Sequence, residues 1–367
     1  MTLRGSLPRM LLVGIILIGL SLVAAAGLVK AKRAIFGDEG PPTARACVVR
    51  PHNIRAPSAP SAPSGSWKPI GAAPLALSEI GGVAVGDRIY LAGGQGKGGR
   101  SSATVLSYQP SSGRYRNEPP MPERVDHALV TTDGRDLYVI GGYTDSEPVN
   151  TAFRYWPAQR RWERLPSMRV PRGGLGGGIV GGRLYAVSGA PKTWPNEYVD
   201  ANDEVEVLDI ATQRWTFGPP LPVARHHLGY ATYDGAIYIV GGRNGSDFAI
   251  ARVDRLDPRT NRWESVAPLP QGVAAPLVAS TRRGFVVAGG GDPERWESDA
   301  RGWVTPAAWA YDGGRDRWRR LPDLEHPRHQ GAAASVGNSV YAFDGSPCPG
   351  FGRIRSAERL GLGGATR

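Results

Sequence analysis

Ile237-Tyr238-Ile239-Val240-Gly241-Gly242 is a short apolar run stopped by two glycines. Aromatic and β-branched residues over four positions favour a strand, and the glycines end it. The pattern recurs five times. Ile89-Tyr90-Leu91-Ala92 precedes Gly93-Gly94, Leu137-Tyr138-Val139-Ile140 precedes Gly141-Gly142, and Leu184-Tyr185-Ala186-Val187 precedes Ser188-Gly189. Phe285-Val286-Val287-Ala288 precedes Gly289-Gly290, and Val340-Tyr341-Ala342-Phe343 precedes Asp344-Gly345. The first member of the pair thus falls at Gly93, Gly141, Ser188, Gly241, Gly289 and Asp344. A period near fifty is the mark of stacked units that cannot bury their own faces alone.

A second marker keeps step with the first. Tyr108, Tyr155, Leu208, Leu256 and Tyr311 are each followed one strand-and-turn later by Tyr115, Trp162, Trp215, Trp263 and Trp318, always at the same interval. An arginine precedes each of these aromatics. Met121-Pro122, Leu165-Pro166, Leu221-Pro222, Leu269-Pro270 and Leu321-Pro322 follow shortly after. The chain has 50 Gly and 32 Pro in 367 residues, which argues against a mainly helical protein. The length alone suggests two or three domains at about 150 residues each. The repeat replaces that with one ring over 67–360.

These marks resemble the kelch repeat, a β-propeller family. The resemblance implies an all-β, six-bladed propeller of four-stranded antiparallel blades. It places the glycine pair at the end of each second strand and the Tyr and Trp on the third and fourth strands, between blades. The last unit reaches Arg355-Ser356-Ala357-Glu358-Arg359-Leu360 and lacks its Trp strand, while Trp67-Lys68-Pro69-Ile70 stands in phase at the other end. The N-terminal strand is therefore expected to complete the last blade and leave no open edge.

The remaining segments read as a tether. Residues 1–33 hold an uncharged stretch from Met10 to Val29, long enough to cross one hydrocarbon core. It reads as an uncleaved anchor, with a cleaved signal peptide as the alternative. The body is expected outside the cytoplasm, on the periplasmic or extracellular side. Residues 34–66 form a Pro/Ala/Ser-rich linker and 361–367 a short tail. The formal net charge is +11, but the segment 1–66 contributes more than half of it, so the ring is nearly balanced. No basic run with interleaved aromatics occurs, and no nucleic-acid partner is expected. Cys47 and Cys348 are the only cysteines. Closure brings the linker beside the last blade, where a Cys47–Cys348 disulfide becomes reasonable.

Function in such a ring is expected on the face where the second-to-third-strand turns and the blade crossings open. The interval from Leu77 to Gly93, applied before each glycine pair with one extra position allowed in the second unit, gives the blade entries. They are Leu77, Arg124, Arg172, Arg225, Val273 and Arg328. Two positions further on lie Glu79, Asp126, Gly174, His227, Ala275 and Gln330, with His226 and His329 between. Arginine at four of six entries reads either as an anion- or carbohydrate-binding mouth or as a scaffold bonding neighbouring turns. His226 and His227 are adjacent, and alternation on a strand would point them apart, which argues against joint chelation. No Cys/His zinc spacing, Walker loop, dinucleotide fingerprint or G-x-S-x-G occurs, so no metal or cofactor is expected. The copper-radical oxidases of the resembled family use a Tyr–Cys crosslink, and Cys348 has no evident Tyr/His copper set.

Three loops add candidates. Arg243-Asn244-Gly245-Ser246-Asp247 resembles peptide-binding loops of kelch interaction domains. Residues 190–204 and 292–303 account for the two longest spacings, and the second holds Trp296. Together these features lead to a membrane-tethered propeller binding a protein or glycan on its loop face. The alternative is a carbohydrate-active enzyme like the kelch sialic-acid mutarotases.

Overall fold

The computed structural model describes residues 65–191, 201–292, 303–348 and 352–363. They form six four-stranded antiparallel sheets and two short two-stranded ribbons. Blade four shows the plan. Gly229–Tyr233 pairs with Ala236–Val240, then Val253–Asp257, then Arg262–Val266. The six inner strands are Gly81–Val85, Leu129–Thr132, Gly176–Val180, Gly229–Tyr233, Leu277–Thr281 and Ala332–Val336. Each contacts the next, and the last returns to the first, so the ring closes around an axis.

Closure uses the strand foreseen for it. Lys68–Ala72 is the outer strand of the last blade and pairs with Ser356–Gly361 through Lys68↔Arg359 and Ala72↔Ser356. Between blades the facing side chains form the core. Tyr238 and Val240 of blade four pack with Phe285, Val287 and Tyr311 of blade five. Burying each such side chain contributes roughly 1.5–3 kcal/mol.

The tryptophans also fasten one blade to the next. The indole N–H of Trp162 donates to Pro119 O at 3.0 Å, Trp215 to Pro166 O at 2.7 Å, and Trp263 to Pro219 O at 2.9 Å. Trp318 donates to Ala267 O at 2.9 Å, and Trp67 closes the series on Pro322 O at 2.9 Å. A large apolar ring thus fills the inter-blade space while its one polar atom is satisfied.

The glycine pairs lie where backbones crowd. Gly142 has φ +106, and a Cβ there would stand 2.4 Å from Asp126 O. Ser188 and Asp344 replace the first glycine of their pairs and adopt its left-handed backbone, with φ 55 and 53. Among the described residues no helix is long and apolar enough to cross a membrane. Residues 10–29, the expected span, lie outside the described residues, as does the linker up to residue 64.

Candidate functional site

Past each glycine pair the sheet is extended by one bridge back to the entry of the same blade, while the second residue of the pair donates its N–H to the entry carbonyl of the next blade. The bridges are Ser78↔Gln95, Asp126↔Tyr143, Gly173↔Ala190, His226↔Arg243, Ala274↔Gly291 and His329↔Ser346. All six span the same interval along the chain. The second unit therefore carries no extra residue. Its turn, Asp133 to Asp136, takes positions that other blades use for strand pairing. This corrects the expected alignment. The entry set is Leu77, Val125, Arg172, Arg225, Val273 and Arg328, so arginine stands at three of six positions. Arg124 is outside the set, with its side chain 55% exposed and 3.7 Å from Asp145.

The three entry arginines serve the scaffold. Arg172, Arg225 and Arg328 are each 0% exposed. Arg172 Nε donates to Ser188 O at 2.9 Å and Nη1 to Glu206 at 2.6 Å. Arg225 Nε donates to Gly241 O at 2.9 Å and Nη2 to Asp254 at 2.8 Å. Arg328 bonds Asp344 O and Glu358. Each guanidinium thus joins a blade crossing to the glycine turn of its own blade and to a buried acid. None faces the mouth, so the anion-binding reading of these arginines has no geometric support.

The position two residues further on does face the mouth. Glu79, His127, Gly174, His227, Ala275 and Gln330 all have left-handed backbones, with φ of 52, 53, 65, 53, 49 and 59. Backbone hydrogen bonds pass along this ring, from His127 N to Glu79 O, Gly174 N to His127 O, Ala275 N to His227 O and Gln330 N to Ala275 O. Five of the six are not glycine. Such backbones cost energy and persist where surrounding structure imposes them, often at functional sites.

Three of the ring side chains meet. Glu79 Oε1 lies 3.1 Å from His127 Nε2 and 3.6 Å from His227 Nε2. The two Nε2 atoms are 3.2 Å apart. Asp126 Oδ1 accepts from His127 Nδ1 at 2.5 Å, and Ser101 Oγ donates to Asp126 Oδ2 at 2.6 Å. His226 Nδ1 is 2.6 Å from His227 Nδ1, and Arg243 Nη2 is 3.2 Å from His227 Nε2. The alternation argument against His226 and His227 fails because His227 leaves the extended conformation. Its positive φ turns the ring back onto its neighbour.

Burial pushes the Glu79 carboxyl up, but the charges and hydrogen bonds of His127 and His227 outweigh it, and the group sits well below the usual carboxylate range. Burial likewise opposes charging of His127. The Glu79 charge and the Asp126 hydrogen bond win, raising it to about 10. His226 is pushed well down by burial, then by His227 and Arg243. At neutral pH the mouth therefore centres on a Glu79⁻–His127⁺ pair.

Below this cluster the axis holds a cavity of about 90 Å³, walled by residues such as Leu228, Tyr230 and Val278. At roughly 30 Å³ per water it takes a few waters or an ion, far below the ~300 Å³ of small-molecule pockets.

The other sequence candidates lie around this centre. Asn244 accepts from Ser246 N and Asp247 N at 3.0 and 2.9 Å, folding its own loop. His329 is buried, and its Nε2 donates to Cys348 O at 2.7 Å. Cys348 is buried and disulfide-bonded. Cys47 and Trp296 lie outside the described residues. His127 was missed as a site residue by the sequence reading. The Glu79-to-Gln95 interval, applied uniformly before the residue that follows each glycine pair, would have found it together with His227 and Gln330.

The Kelch motif model matches residues 76–122, 124–169 and 224–270. The chain is 30% identical over 261 residues to Kelch-like protein terF of Aspergillus terreus, covering 67% of this chain and 56% of that protein. It is 31% identical over 245 residues to human Kelch-like protein 34, covering 61% of this chain and 35% of the relative. It is 23% identical to alpha-scruin of Limulus polyphemus, covering 61% and 25%. The chain spans about half or less of the length of these relatives. Among solved structures, that of YjhT superposes with a TM-score of 0.65 at 16% identity, covering 78% of this chain and 95% of that one. With six blades of kelch register and motif, the chain belongs to the kelch-repeat β-propellers.

Proposed function

We propose that this chain is a membrane-tethered, extracytoplasmic propeller that binds a partner protein through its loop face, with a glycan as the second class of ligand. One observation carries the reading. In every blade the second residue of the glycine pair donates its N–H to the entry carbonyl of the next blade, from Gly94 N to Val125 O round to Gly345 N to Leu77 O, so the loops form a preorganised platform around a polar centre. Loops fixed in this way bind with less ordering cost than mobile ones. The hairpin Tyr143–Thr144/Glu147–Pro148, the turn at Asn244 to Asp247 and the ribbon Gly291–Asp292/Trp303–Val304 stand on that platform.

The mutarotase-like alternative has less support. The entry arginines Arg172, Arg225 and Arg328 are committed to the scaffold, and the axial cavity is too small for a sugar ring. The test is crosslinking and capture from host membranes with the full chain. Arg124→Ala combined with Glu147→Ala, both at exposed positions of the loop face, is expected to reduce partner yield while keeping the thermal midpoint. Arg172→Ala is expected to lower the midpoint through the unpaired Glu206. Identical partners at identical yield from the loop-face variant would sink the reading. Accelerated anomer exchange of sialic acid, seen by NMR, would favour the alternative.

A further inference from the structure

The three side chains at the centre of the mouth raise a question of chemistry rather than of partner. An arginine N–H can only donate, so the 3.2 Å contact from Arg243 Nη2 makes His227 Nε2 the acceptor. His227 Nδ1 then carries the proton, directed to His226 Nδ1 at 2.6 Å. At His127 the Asp126 carboxylate fixes the proton on Nδ1, at 2.5 Å. Both rings are thereby oriented with Nε2 toward Glu79 Oε1. Two imidazole nitrogens and a carboxylate oxygen converge on one point and need a cation between them.

A single proton on His127 Nε2 satisfies this in the metal-free molecule. The separations suit something larger. A tetrahedral zinc ion bonded at about 2.0–2.1 Å holds its ligand atoms about 3.3 Å apart. The three observed separations are 3.1, 3.2 and 3.6 Å. The ligands come from three different blades, on a ring whose left-handed backbones are fixed by hydrogen bonds across blades. The Asp126–His127 contact, itself held by Ser101, is the carboxylate–histidine support that orients metal-bound imidazoles.

We infer that Glu79, His127 and His227 form a site for one borderline divalent transition ion of the zinc class, with its fourth position open to the mouth. The ion takes the place of the proton on His127 Nε2, and Arg243 moves off His227 Nε2. In its new place its charge favours an anionic ligand on the open position. The other His/carboxylate cluster among the described residues, Glu325–His326–Glu358, is different, because Arg328 already pairs with Glu358.

The test uses the purified full chain, stripped with chelator, dialysed against Zn²⁺ alone and assayed for metal by mass spectrometry. One Zn²⁺ per chain is expected for the wild type and for His326→Ala. His127→Gln and Glu79→Gln are expected to bind at least tenfold more weakly. Asp126→Asn, which acts through His127, is expected to weaken binding about 10–100-fold. Co²⁺ titrated into the wild type alone reports independently of any variant, since four-coordinate Co²⁺ absorbs strongly in the visible. Absence of stoichiometric Zn²⁺ at 100-fold excess overturns the site and leaves the proton as its only cation. Undiminished binding by correctly folded His127→Gln overturns it equally.

Discussion

His329 is a base held where charge is costly. Burial pushes it down to about 4, only partly offset by its hydrogen bond to Cys348 O and the charge of Glu79. The unfolded chain takes up this proton near the ordinary value of 6.5, whereas the folded chain resists until about 4. The unfolded state therefore binds more protons between those values, and stability is lost as pH falls through that window. The full loss is of order 3 kcal/mol at about 1.36 kcal/mol per unit. His329→Gln should flatten the fall of the urea midpoint between pH 6.5 and 4. Because Glu79 also titrates at low pH, the variant is compared with the wild type. Equal slopes in the two would refute this account. At this scale the sequence was only partly informative. The glutamate and histidines were visible as a cluster near blade entries, but their geometry depends on positive φ at non-glycine residues. No residue type announces that. Arginines at recurring positions were legible, yet only burial shows that Glu206, Asp254 and Glu358 occupy them.

The blade was the most readable element, because its marks have direct physical causes. Glycine stands where a Cβ would strike the neighbouring crossing, and tryptophan stands where an apolar ring must also donate one hydrogen bond. The N-terminal strand illustrates this. Trp67 is 4% exposed, packs among Leu277, Leu321, Leu324 and Leu360, and bonds Pro322 O. Trp67→Ala removes both the packing and the clasp that fastens the outer strand of the last blade onto blade five. A loss of about 3–5 kcal/mol is expected, as for other buried tryptophans. Denaturant unfolding should show it as a lower midpoint. A change under about 1 kcal/mol would mean that the strand merely covers an already closed ring. The register of single units was harder to read. The longer turn after Thr132 looked like an insertion, whereas it consumes strand positions and leaves the count unchanged.

At the scale of the whole molecule, the closed ring carries one cysteine, Cys348, and the chain before it carries the other, Cys47. Cys348 follows the last glycine turn and therefore sits on the loop face, while Lys68 begins its strand at the opposite face. The stretch from Cys47 to Trp67 is several times the length of that strand. A strand of about five residues spans only roughly 17 Å, so this stretch can run from the loop face to the far face with length to spare. A Cys47–Cys348 bond would thus tie the linker to the last blade. Mass mapping without reductant, on full-length protein with its free thiols blocked, should recover the Cys47–Cys348 peptide pair. Reduction should lower stability by about 2–4 kcal/mol. It should also release the linker to proteolysis ahead of the ring. Two free thiols in that protein would remove the bond. A ring whose stability is unchanged by reduction would show instead that Lys68–Ala72 alone holds the N-terminal side in place.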